Sequence, residues 1–578
     1  MTTPIPPSGP VTQTAPTRPV TQAPPTTQAT LRISGTPEAT RALLAAAARA
    51  YATDPAAAGT VHALQGRLDE PLRVAIAGRL KAGKSTLLNA LLGEEVAATD
   101  AGECTLVSTW YVHGPTPSAR LFLLDGGIQP LVLRRVEGRL SFDLAGHAPP
   151  EVARIEVTWP APVLAQMTLI DTPGLGSLTT EASQRAQDLV APAAGRVAPT
   201  AGPATPATGP GVDALIFLLR HRHAADLEVL EDFRRQSDPS TGAENQPTNV
   251  IGVLSRADEV GGGGLDALIK SQDMATAYAR DPRVRPVCQR VLPLAGLVAQ
   301  GAQTLRQTEF ESLRRLAAMP RERRELLLVS ARRFITAPDP DVAPEERRAL
   351  ADRLGLFGIR LAMVLLPYGH DEPMSLADEL LRRSGLPALQ QAVVDTYARA
   401  ADLLKASTAL AGLGRLLAAG PCPDPDLPRR FEATVLAAHD LRELRLVARL
   451  SAGGVPGLDP EEVAAARRLA GAYGTDPATR LGLTEDREDD PATRPGRAAP
   501  AAEEIRRAAL EALAHWRRVA ADPLAVRTLR ECGETLTRTC EALLIGATVA
   551  TGEDRPTATP TTVPPGDDAA SAPSAGTS

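Results

Sequence analysis

The stretch LRVAIAGRLKAGKSTLLNALLG, residues 72–93, joins an apolar run, a glycine-containing loop and a helix-forming run. Its loop, residues 78–85, has the G-x-x-x-x-G-K-S spacing of a phosphate-binding loop. Glycines let backbone N–H groups curl around a phosphate, and the helix N-terminus adds a favourable dipole. We expect Lys84 to reach the β- and γ-phosphates of a nucleotide and the Ser85 hydroxyl to bind Mg²⁺. The predicted nucleotide contacts of this loop are Gly78, Leu80, Lys81, Ala82, Gly83, Lys84, Ser85 and Thr86.

A second motif of a phosphate site, Asp171-Thr-Pro-Gly174, directly follows the apolar run MTLI. A carboxylate at the carboxyl end of a strand lies at the crevice where α/β proteins bind ligands. We expect Asp171 to hold Mg²⁺ through a water molecule and the Gly174 N–H to contact the γ-phosphate. Between the two motifs, Thr105 is the predicted threonine whose hydroxyl binds Mg²⁺ and whose carbonyl orients the attacking water, with Thr99 as the alternative.

A third motif, Ser255-Arg-Ala-Asp258, follows the apolar run NVIGVL and indicates the base. GTPases commonly carry Asn/Thr-Lys-x-Asp at this place, and the Asp carboxylate accepts hydrogen bonds from guanine N1 and N2. Here Ser255 is shorter than Asn or Thr, while Arg256 replaces Lys and can still stack on the base. The motif favours guanine, although Ser255 leaves ATP as an alternative. Ala295 of Leu294-Ala295-Gly296 is the predicted residue that closes over the base.

Apolar runs at 72–78, 167–171, 212–219 and 249–255 predict strands that alternate with helices. This alternation implies a mostly parallel sheet with helices on both faces. Beyond about residue 300 the strand pattern ends, and the predicted helices are 304–335, 344–366, 375–419, 427–452, 459–473 and 501–549. The predicted fold class is an α/β P-loop GTPase domain followed by a long all-α region.

Composition argues against several other classes of protein. The net charge of −6 does not suit a protein that coats nucleic acid, so no nucleic-acid partner is expected. The longest apolar runs, 354–366 and 403–419, are too short or too charged for a membrane span, and no signal-peptide pattern is seen. Five scattered cysteines without a CxxC pair indicate a reducing cytoplasm. Only four of the 62 basic residues are lysines, and two of them lie in the phosphate-binding loop.

The chain as a whole resembles the bacterial dynamin-like large GTPases. Within them it is most similar to the isoniazid-inducible dynamin-like GTPases of actinobacteria, in particular their C member. The phosphate motifs are generic, whereas strings in the helical half are specific to the family. Those strings include TLRQTEFESLRRLA, GLFGIRLAMVLL, LLRRSGLPALQ, AHDLRELRLVARL and AHWRRVAADPL.

The resemblance implies a division of the chain into domains. It predicts a disordered tail at 1–30, neck helices at 31–70, a dynamin-type GTPase domain at 71–335 with a flexible insertion at 191–211, helices completing that domain or the neck at 336–400, a helical trunk at 401–550 with a loop at 475–500, and a disordered tail at 551–578.

The resemblance also implies function. It predicts Mg²⁺-dependent GTP hydrolysis coupled to self-association through the GTPase domain and to membrane remodelling, maintenance or cell division and septation. The expected partners are GTP, a membrane surface, a membrane-anchored dynamin-like paralogue and the division machinery. The expected location is cytoplasmic and peripheral on the inner face of the cell membrane.

Two positions of the loop depart from the eukaryotic dynamins, many of which carry Gln-Ser where this chain has Leu80 and Lys81. Leu80 cannot hydrogen-bond water, and Lys81 either neutralises charge on the phosphates or is a solvated loop residue. A GTP-binding scaffold with little hydrolysis is therefore an alternative. A ribosome-associated GTPase is a further alternative, disfavoured by the acidic balance.

Overall fold

The computed structural model describes residues 35–97, 107–136, 139–141, 144–174, 211–220, 227–231, 249–281, 283–284, 287–288, 290–338, 341–451, 453, 455–483 and 501–551. Thr99, Thr105, the predicted tails apart from Thr551, and nearly all of the predicted insertion at 191–211 lie outside these residues. Within the described ranges, no helix is both long and apolar enough to cross a membrane.

A nine-stranded sheet forms the centre of the α/β part, in the order β11-β10-β9-β1-β8-β2-β7-β3-β4. Its strands are β1 Leu72–Gly78, β2 Thr109–His113, β3 Ser118–Leu123, β4 Ile128–Leu131, β7 Val152–Trp159, β8 Met167–Asp171, β9 Ala214–Leu219, β10 Val250–Ser255 and β11 Arg290–Leu294. A separate hairpin pairs β5 Arg134–Val136 with β6 Arg139–Ser141. Strands β11, β10, β9, β1 and β8 run parallel to one another.

The parallel strands are buried on both faces, which explains why their sequences are nearly continuous apolar runs. All six residues of β9 and all six of β10 are buried. These two strands, β1 and β8 are the four that the apolar runs predict. The predicted α/β fold with a mostly parallel sheet is therefore confirmed.

The other side of the sheet is mixed, with β2 parallel to β7 and the remaining pairs antiparallel, and the sequence analysis did not predict it. Strand β2 runs antiparallel to β8, and β3 runs antiparallel to both β7 and β4. These strands alternate between buried and less buried residues, as in the pattern of β3, SARLFL, where every second residue is buried. Such strands lack the long apolar run that marks a strand buried on both faces.

The helices before and within the α/β part are α1 Thr36–Ala50, α2 Pro55–Asp69, α3 Lys84–Leu92, α4 Ala267–Arg280 and α5 Gly296–Gln303. The later helices are α6 Gln307–Ala317, α7 Arg321–Leu327, α8 Ala331–Thr336, α9 Pro344–Leu365, α10 Pro373–Arg383, α11 Leu386–Val393, α12 Ala401–Ala419, α13 Leu427–Ala437, α14 His439–Ser451, α15 Pro460–Leu469, α16 Pro477–Arg480, α17 Ala502–Ala521 and α18 Arg527–Thr551. The predicted all-α region thus consists of helices that range from four residues in α16 to 25 residues in α18.

Several predicted stretches differ from the structure, and the predicted helices 304–335, 375–419 and 427–452 each consist of two or three helices. The stretch 475–500 was expected to be a loop, but α16 lies inside it because the Asp476 carboxylate accepts from the Thr479 N–H and caps one turn. The stretch 501–549 was expected to be one helix, but it forms α17 and α18. These helices approach closely enough that a Cβ on Gly533 would lie 2.7 Å from the Ala520 nitrogen. The short turn at 522–526 therefore folds the two helices into a hairpin.

Helices from the second half of the chain complete the core of the sheet. Leu386, Leu389 and Leu404 belong to the same buried cluster as residues of β1 and α3. The Tyr397 hydroxyl donates to the Leu215 carbonyl of β9 at 2.7 Å. The chain between α11 and the start of α12 is therefore part of the α/β core, although the domain boundaries themselves stay predictions.

A buried ion pair joins α2 to the sheet. Arg67 at the end of α2 pairs with Asp213 just before β9, and their side chains are 3% and 1% exposed. Asp213 also accepts from the Arg73 backbone N–H at 2.8 Å. Lys405 of α12 donates to the Leu68 carbonyl at 2.9 Å, so the C-terminal helices hold the same junction.

We expect Arg67→Met to lower the free energy of unfolding by about 3–5 kcal/mol, because it leaves the Asp213 carboxylate buried without its cation. The double variant Arg67→Met/Asp213→Asn should recover part of this loss, since the amide oxygen still accepts from the Arg73 N–H. The measurement is urea unfolding. Arg321→Met is the control, because the Arg321–Glu325 pair is 81% and 63% exposed and should contribute under about 1 kcal/mol. An Arg67→Met loss no larger than the control's would contradict this account.

Candidate nucleotide-binding site

The three sequence motifs meet at one edge of the sheet. Strands β1, β8 and β10 are parallel, and the motifs begin at or directly after their carboxyl ends. Because β1 lies between β8 and β9, and β10 is next to β9, the loops after these strands surround one crevice. This is the place where open α/β sheets bind ligands.

The phosphate-binding loop has the backbone that the motif requires. Gly78 has φ 153°, and a Cβ there would lie 3.0 Å from the Leu218 carbonyl oxygen, so only glycine fits. Gly83 is left-handed with φ 97° and immediately precedes α3. Lys81 is also left-handed, with φ 62°, which is uncommon for a residue with a side chain. Ala82 between them is buried, while Leu80 is 46% exposed.

Lys84, Ser85 and Asp171 form the polar centre of the crevice. The Lys84 ammonium is 9% exposed and donates to the Gly78 and Arg79 carbonyls only at 3.5 Å. Burial lowers the pKa of Lys84, while the nearby Asp171 carboxylate acts in the opposite direction. Burial raises the pKa of Asp171, opposed by Lys84 and by the Ser85 hydroxyl. A phosphate placed beside Lys84 would favour its charged form.

The residues present fit a magnesium ion. The Ser85 hydroxyl donates to Asp171 Oδ2 at 3.0 Å, while the buried Asp171 Oδ1 has no hydrogen-bond partner among the described residues. An orphaned buried carboxylate oxygen beside a hydroxyl suits a cation with oxygen ligands. The described residues contain no group of three or more His, Cys, Asp or Glu side chains that would hold a metal. Mg²⁺ bound through one or two protein oxygens and substrate phosphates needs no such group.

The second motif is held against the loop by backbone contacts. Thr172 Oγ1 donates to the Ile76 carbonyl of β1 at 2.9 Å. A Cβ on Gly174 would lie 3.0 Å from the Leu80 Cα, so glycine permits the close approach of the two motifs. The structure thus brings Gly174 to the phosphate-binding loop.

The third motif also contacts this loop. Arg256 is left-handed with φ 54°, and its guanidinium donates to Glu259 at 2.7 Å and to the Lys81 carbonyl at 3.2 Å. The Ser255 hydroxyl donates to the Leu219 carbonyl of β9 at 3.4 Å, where it supports the turn. Arg256 therefore joins the phosphate and base regions through one side chain.

Asp258 is 8% exposed, and burial raises its pKa to about 6. Glu259 raises that pKa further, while a backbone hydrogen bond and Arg256 lower it. Guanine N1 and N2 donors would replace the water that burial removes from the carboxylate.

Helix α9 contributes residues that the sequence analysis missed. It is interrupted at Gly355, which has φ 64°, and a Cβ there would lie 3.6 Å from Asp258 Oδ2. Arg360 of the same helix donates to the Gly263 carbonyl and to the Leu328 carbonyl, and so holds the loop after Asp258. An isolated glycine inside a helical pattern was the available signal.

Ala295 and Thr86 lie next to the crevice rather than in its open part. Ala295 is fully buried, and its N–H donates to the Ser384 carbonyl at 2.9 Å. In this arrangement that N–H is already used and does not face a base. A Cβ on Gly296 would lie 3.3 Å from Thr86 Cγ2, so the start of α5 packs on the start of α3. Thr105 and Thr99 lie outside the described residues.

The fold and the three motifs define a P-loop GTPase domain. A protein-family model described as "50S ribosome-binding GTPase" matches residues 73–241. The isoniazid-induced protein IniC of Mycobacterium tuberculosis H37Rv is 40% identical over 497 residues, which are 85% of this chain and 94% of IniC. The chain therefore belongs to the IniC family of dynamin-like proteins, and the resemblance found in the sequence is confirmed.

Other relatives match a shorter segment. The isoniazid-induced protein IniA of M. tuberculosis H37Rv is 44% identical over 116 residues, 19% of this chain and 18% of IniA. A bacterial dynamin-like protein of Nostoc punctiforme is 32% identical over 121 residues, 19% of this chain and 17% of its own. A solved structure of an oligomerised bacterial dynamin pair covers 72% of this chain and 79% of its own at 12% identity, but its TM-score of 0.26 supports no structural argument.

GDP binding should weaken by about 10-fold between pH 7 and pH 5, because guanine needs the ionised Asp258 and its pKa is raised to about 6. With a pKa of about 6, Asp258 is half protonated near pH 6, and below that pH its ionised, binding-competent fraction falls toward about 10-fold per pH unit. The measurement is calorimetric titration with GDP at several pH values. Asp258→Asn is the control, since the nucleotide phosphates titrate identically in both proteins. Parallel pH profiles for the two would contradict this role of Asp258.

Gly355→Ala should weaken GDP binding by about 5- to 10-fold, because a side chain is strained at the positive φ of Gly355 and relief of that strain would shift the helix break that contacts the Asp258 carboxylate. Gly369→Ala is a matched control: Gly369 also has a positive φ, 97°, but nothing lies within 4 Å of its Cβ position. Both variants should lose some stability in thermal unfolding, and only Gly355→Ala should change the Kd for GDP. Equal effects of the two variants on that Kd would remove Gly355 from the base site.

Proposed function

We propose that this protein hydrolyses GTP with Mg²⁺ and uses the cycle to control self-association and a membrane-linked process. The observation that carries the proposal is the cluster of Lys84, Ser85 and Asp171 after β1 and β8, together with the buried Asp258 after β10. Burial disfavours the charged forms of Lys84, Asp171 and Asp258, and a nucleotide and a cation would stabilise those charges. Membership of the IniC family supports the dynamin-like assignment.

The proposed reaction is in-line attack of water on the γ-phosphate, in which the protein supplies positioning and charge stabilisation. Lys84 would hold the β- and γ-phosphates, and the Gly174 N–H would donate to the γ-phosphate. Ser85 and Thr105 would bind the cation directly and Asp171 through water. When bound, Mg²⁺ would neutralise charge on the phosphates. The Thr105 carbonyl would orient the attacking water.

The helical half is placed to respond to the nucleotide. Gly355 of α9 lies beside Asp258. Arg353, two residues before Gly355 on the same helix, pairs with Glu95 at 2.5 Å. Glu95 comes shortly before Thr99 and Thr105 in the sequence. A movement of either the base motif or that segment would therefore act on α9. We propose that this helix transmits the nucleotide state to the neck and trunk.

The membrane and partner proposals rest on the family resemblance. We propose self-association through the GTPase domain, a peripheral position at the inner face of the cell membrane, and a membrane-anchored dynamin-like paralogue as partner. The 116-residue match to IniA is consistent with a related partner protein. A role in division or septation is a further part of the proposal.

A GTP-binding scaffold with little hydrolysis is the second candidate. Leu80 is half-exposed at the loop and offers no polar atom to position water. Under this candidate, a variant that binds GTP without hydrolysing it keeps both assembly and cellular function. The description of the matching family model names ribosome binding, and salt-sensitive co-sedimentation with ribosomes would test that third candidate.

GTP turnover per molecule should rise with protein concentration, and rise further with anionic liposomes, while ATP turnover stays at background. Lys84→Ala should lower GTP turnover by about 100-fold or more, because it removes a donor from the charged phosphates. Arg507→Ala, at an exposed position of α17, is the control and should not change turnover. Negligible turnover in a protein that binds GDP normally would favour the scaffold over the enzyme.

A further inference from the structure

Lys81 combines a strained backbone with an exposed charge in the phosphate-binding loop. Its φ of 62° is left-handed, a conformation that costs free energy for a residue with a Cβ. The side chain is exposed, and its ammonium has no hydrogen-bond or ion-pair partner within the described ranges. Glycine would adopt the same backbone without strain, so the fold alone gives no reason for a lysine at this position.

A hydrogen bond from the base motif holds this backbone. Three non-glycine residues in the described part of the chain have a positive φ: Lys81, Ala145 and Arg256. The Arg256 guanidinium donates to the Lys81 carbonyl at 3.2 Å, so two of the three are joined to each other at the nucleotide crevice. Strained residues persist where surrounding contacts enforce them, and they concentrate at active sites and ligand-binding sites. The strain at Lys81 therefore points to a role in the site.

Lys81 is one residue from the closest approach of the phosphate-binding loop to the second motif. A Cβ on Gly174 would lie 3.0 Å from the Leu80 Cα and 3.1 Å from the Leu80 nitrogen. Gly174 is the proposed donor to the γ-phosphate, so this phosphate would lie beside the segment 80–81. The flexible four-carbon stem of a lysine can bring its compact ammonium to that phosphate.

The groups already assigned to the site leave part of the charge of GTP uncompensated. Lys84 is the assigned cation of the protein, and Asp171 is itself a carboxylate. Leu80 has no polar atom, and Arg256 is paired with Glu259 at 2.7 Å. In the transition state, charge spreads over the γ-phosphoryl oxygens, and one added cation there raises kcat by about 10³- to 10⁵-fold in other GTPases.

We propose that Lys81 is a further catalytic residue, whose ammonium donates to the γ-phosphoryl oxygens of GTP in the transition state. This inference rests on the proposed GTP hydrolysis. In that reaction the water oxygen bonds to the γ-phosphorus, and the bond from this phosphorus to the β–γ bridging oxygen breaks. GDP keeps the electron pair of the broken bond, and the attacking water loses one proton to the released phosphate. Lys81 transfers no proton and stabilises the developing charge.

The test is the variant Lys81→Gly, which removes the ammonium and relieves the strained backbone together. The kcat for GTP should fall by about 100-fold or more, because charge stabilisation is lost. The Kd for GDP should change by less than about 2-fold, since GDP lacks the γ-phosphate and the loop keeps its backbone N–H groups. The variant should unfold at the same or a higher temperature than the wild type, which separates lost catalysis from lost folding. Lys81→Arg restores a cation and should recover at least about 10-fold in kcat over Lys81→Gly.

Two matched controls separate the ammonium from strain and from general charge. Ala145→Gly relieves the same kind of strain in the connection between β6 and β7 and should leave kcat unchanged. Arg79→Ala removes an exposed positive charge from the same loop, at a residue without a left-handed backbone. It should lower kcat by less than about 5-fold, because solvent screens exposed charges. A loss in Arg79→Ala as large as that in Lys81→Gly would overturn the specific role of Lys81.

A second measurement judges Lys81 without turnover. Calorimetry compares the binding of GDP alone with that of GDP, Mg²⁺ and aluminium fluoride, a mimic of the transferred phosphoryl group. The wild type should bind the mimic complex more tightly than GDP, and Lys81→Gly should lose most of that gain. A wild type that binds GDP without turning over GTP would count against the proposed hydrolysis, and the gain from fluoride would still decide the role of Lys81. Equal kcat, or an equal gain from fluoride, in the wild type and Lys81→Gly overturns that role.

Discussion

Burial of the central parallel strands on both faces is the constraint on which the rest of the structure depends. Strands β9 and β10 have no residue that faces water, so each side of the sheet must be covered by helices. Nearby helices such as α3 supply part of this cover. The remainder comes from α11 and the start of α12, about three hundred residues later in the chain than β1. The C-terminal half is therefore joined to the nucleotide-binding part by its hydrophobic core.

The same constraint determines the electrostatics of the site. The carboxyl ends of β1, β8 and β10 open into a crevice whose polar groups are largely shielded from water. Burial lowers the pKa of Lys84 and raises the pKa of Asp171, and both shifts favour the neutral form of the side chain. Phosphates and a cation would restore both charges, so ligand binding and the ionisation of the site support each other. Burial also raises the pKa of Asp258, the carboxylate in the base region.

Helix α9 connects these local effects to the helical half. Its break at Gly355 lets the chain pass beside Asp258, and Arg353 and Arg360 hold segments on either side of the break. The ion pair of Arg67 with Asp213 joins α2 to the sheet. Lys405 of α12 donates a hydrogen bond to the end of α2 at the same junction. The sheet that carries the nucleotide site and the loops around that site thus have direct contacts to α2, α9 and α12.

The sequence alone predicted the candidate nucleotide-binding residues and the parallel half of the sheet. The loop 78–85 and the motifs at Asp171 and Asp258 are local patterns, because their function depends on backbone shape and side chains a few residues apart. The apolar runs of β1, β8, β9 and β10 were equally local signals. The antiparallel strands were not predicted, since their alternating residues resemble many half-exposed segments. Only the tertiary structure placed Gly355 against Asp258, paired the Ala295 N–H with the Ser384 carbonyl and paired Arg67 with Asp213. These contacts join residues far apart in the chain, and their energies depend on burial and distance, which no local pattern records.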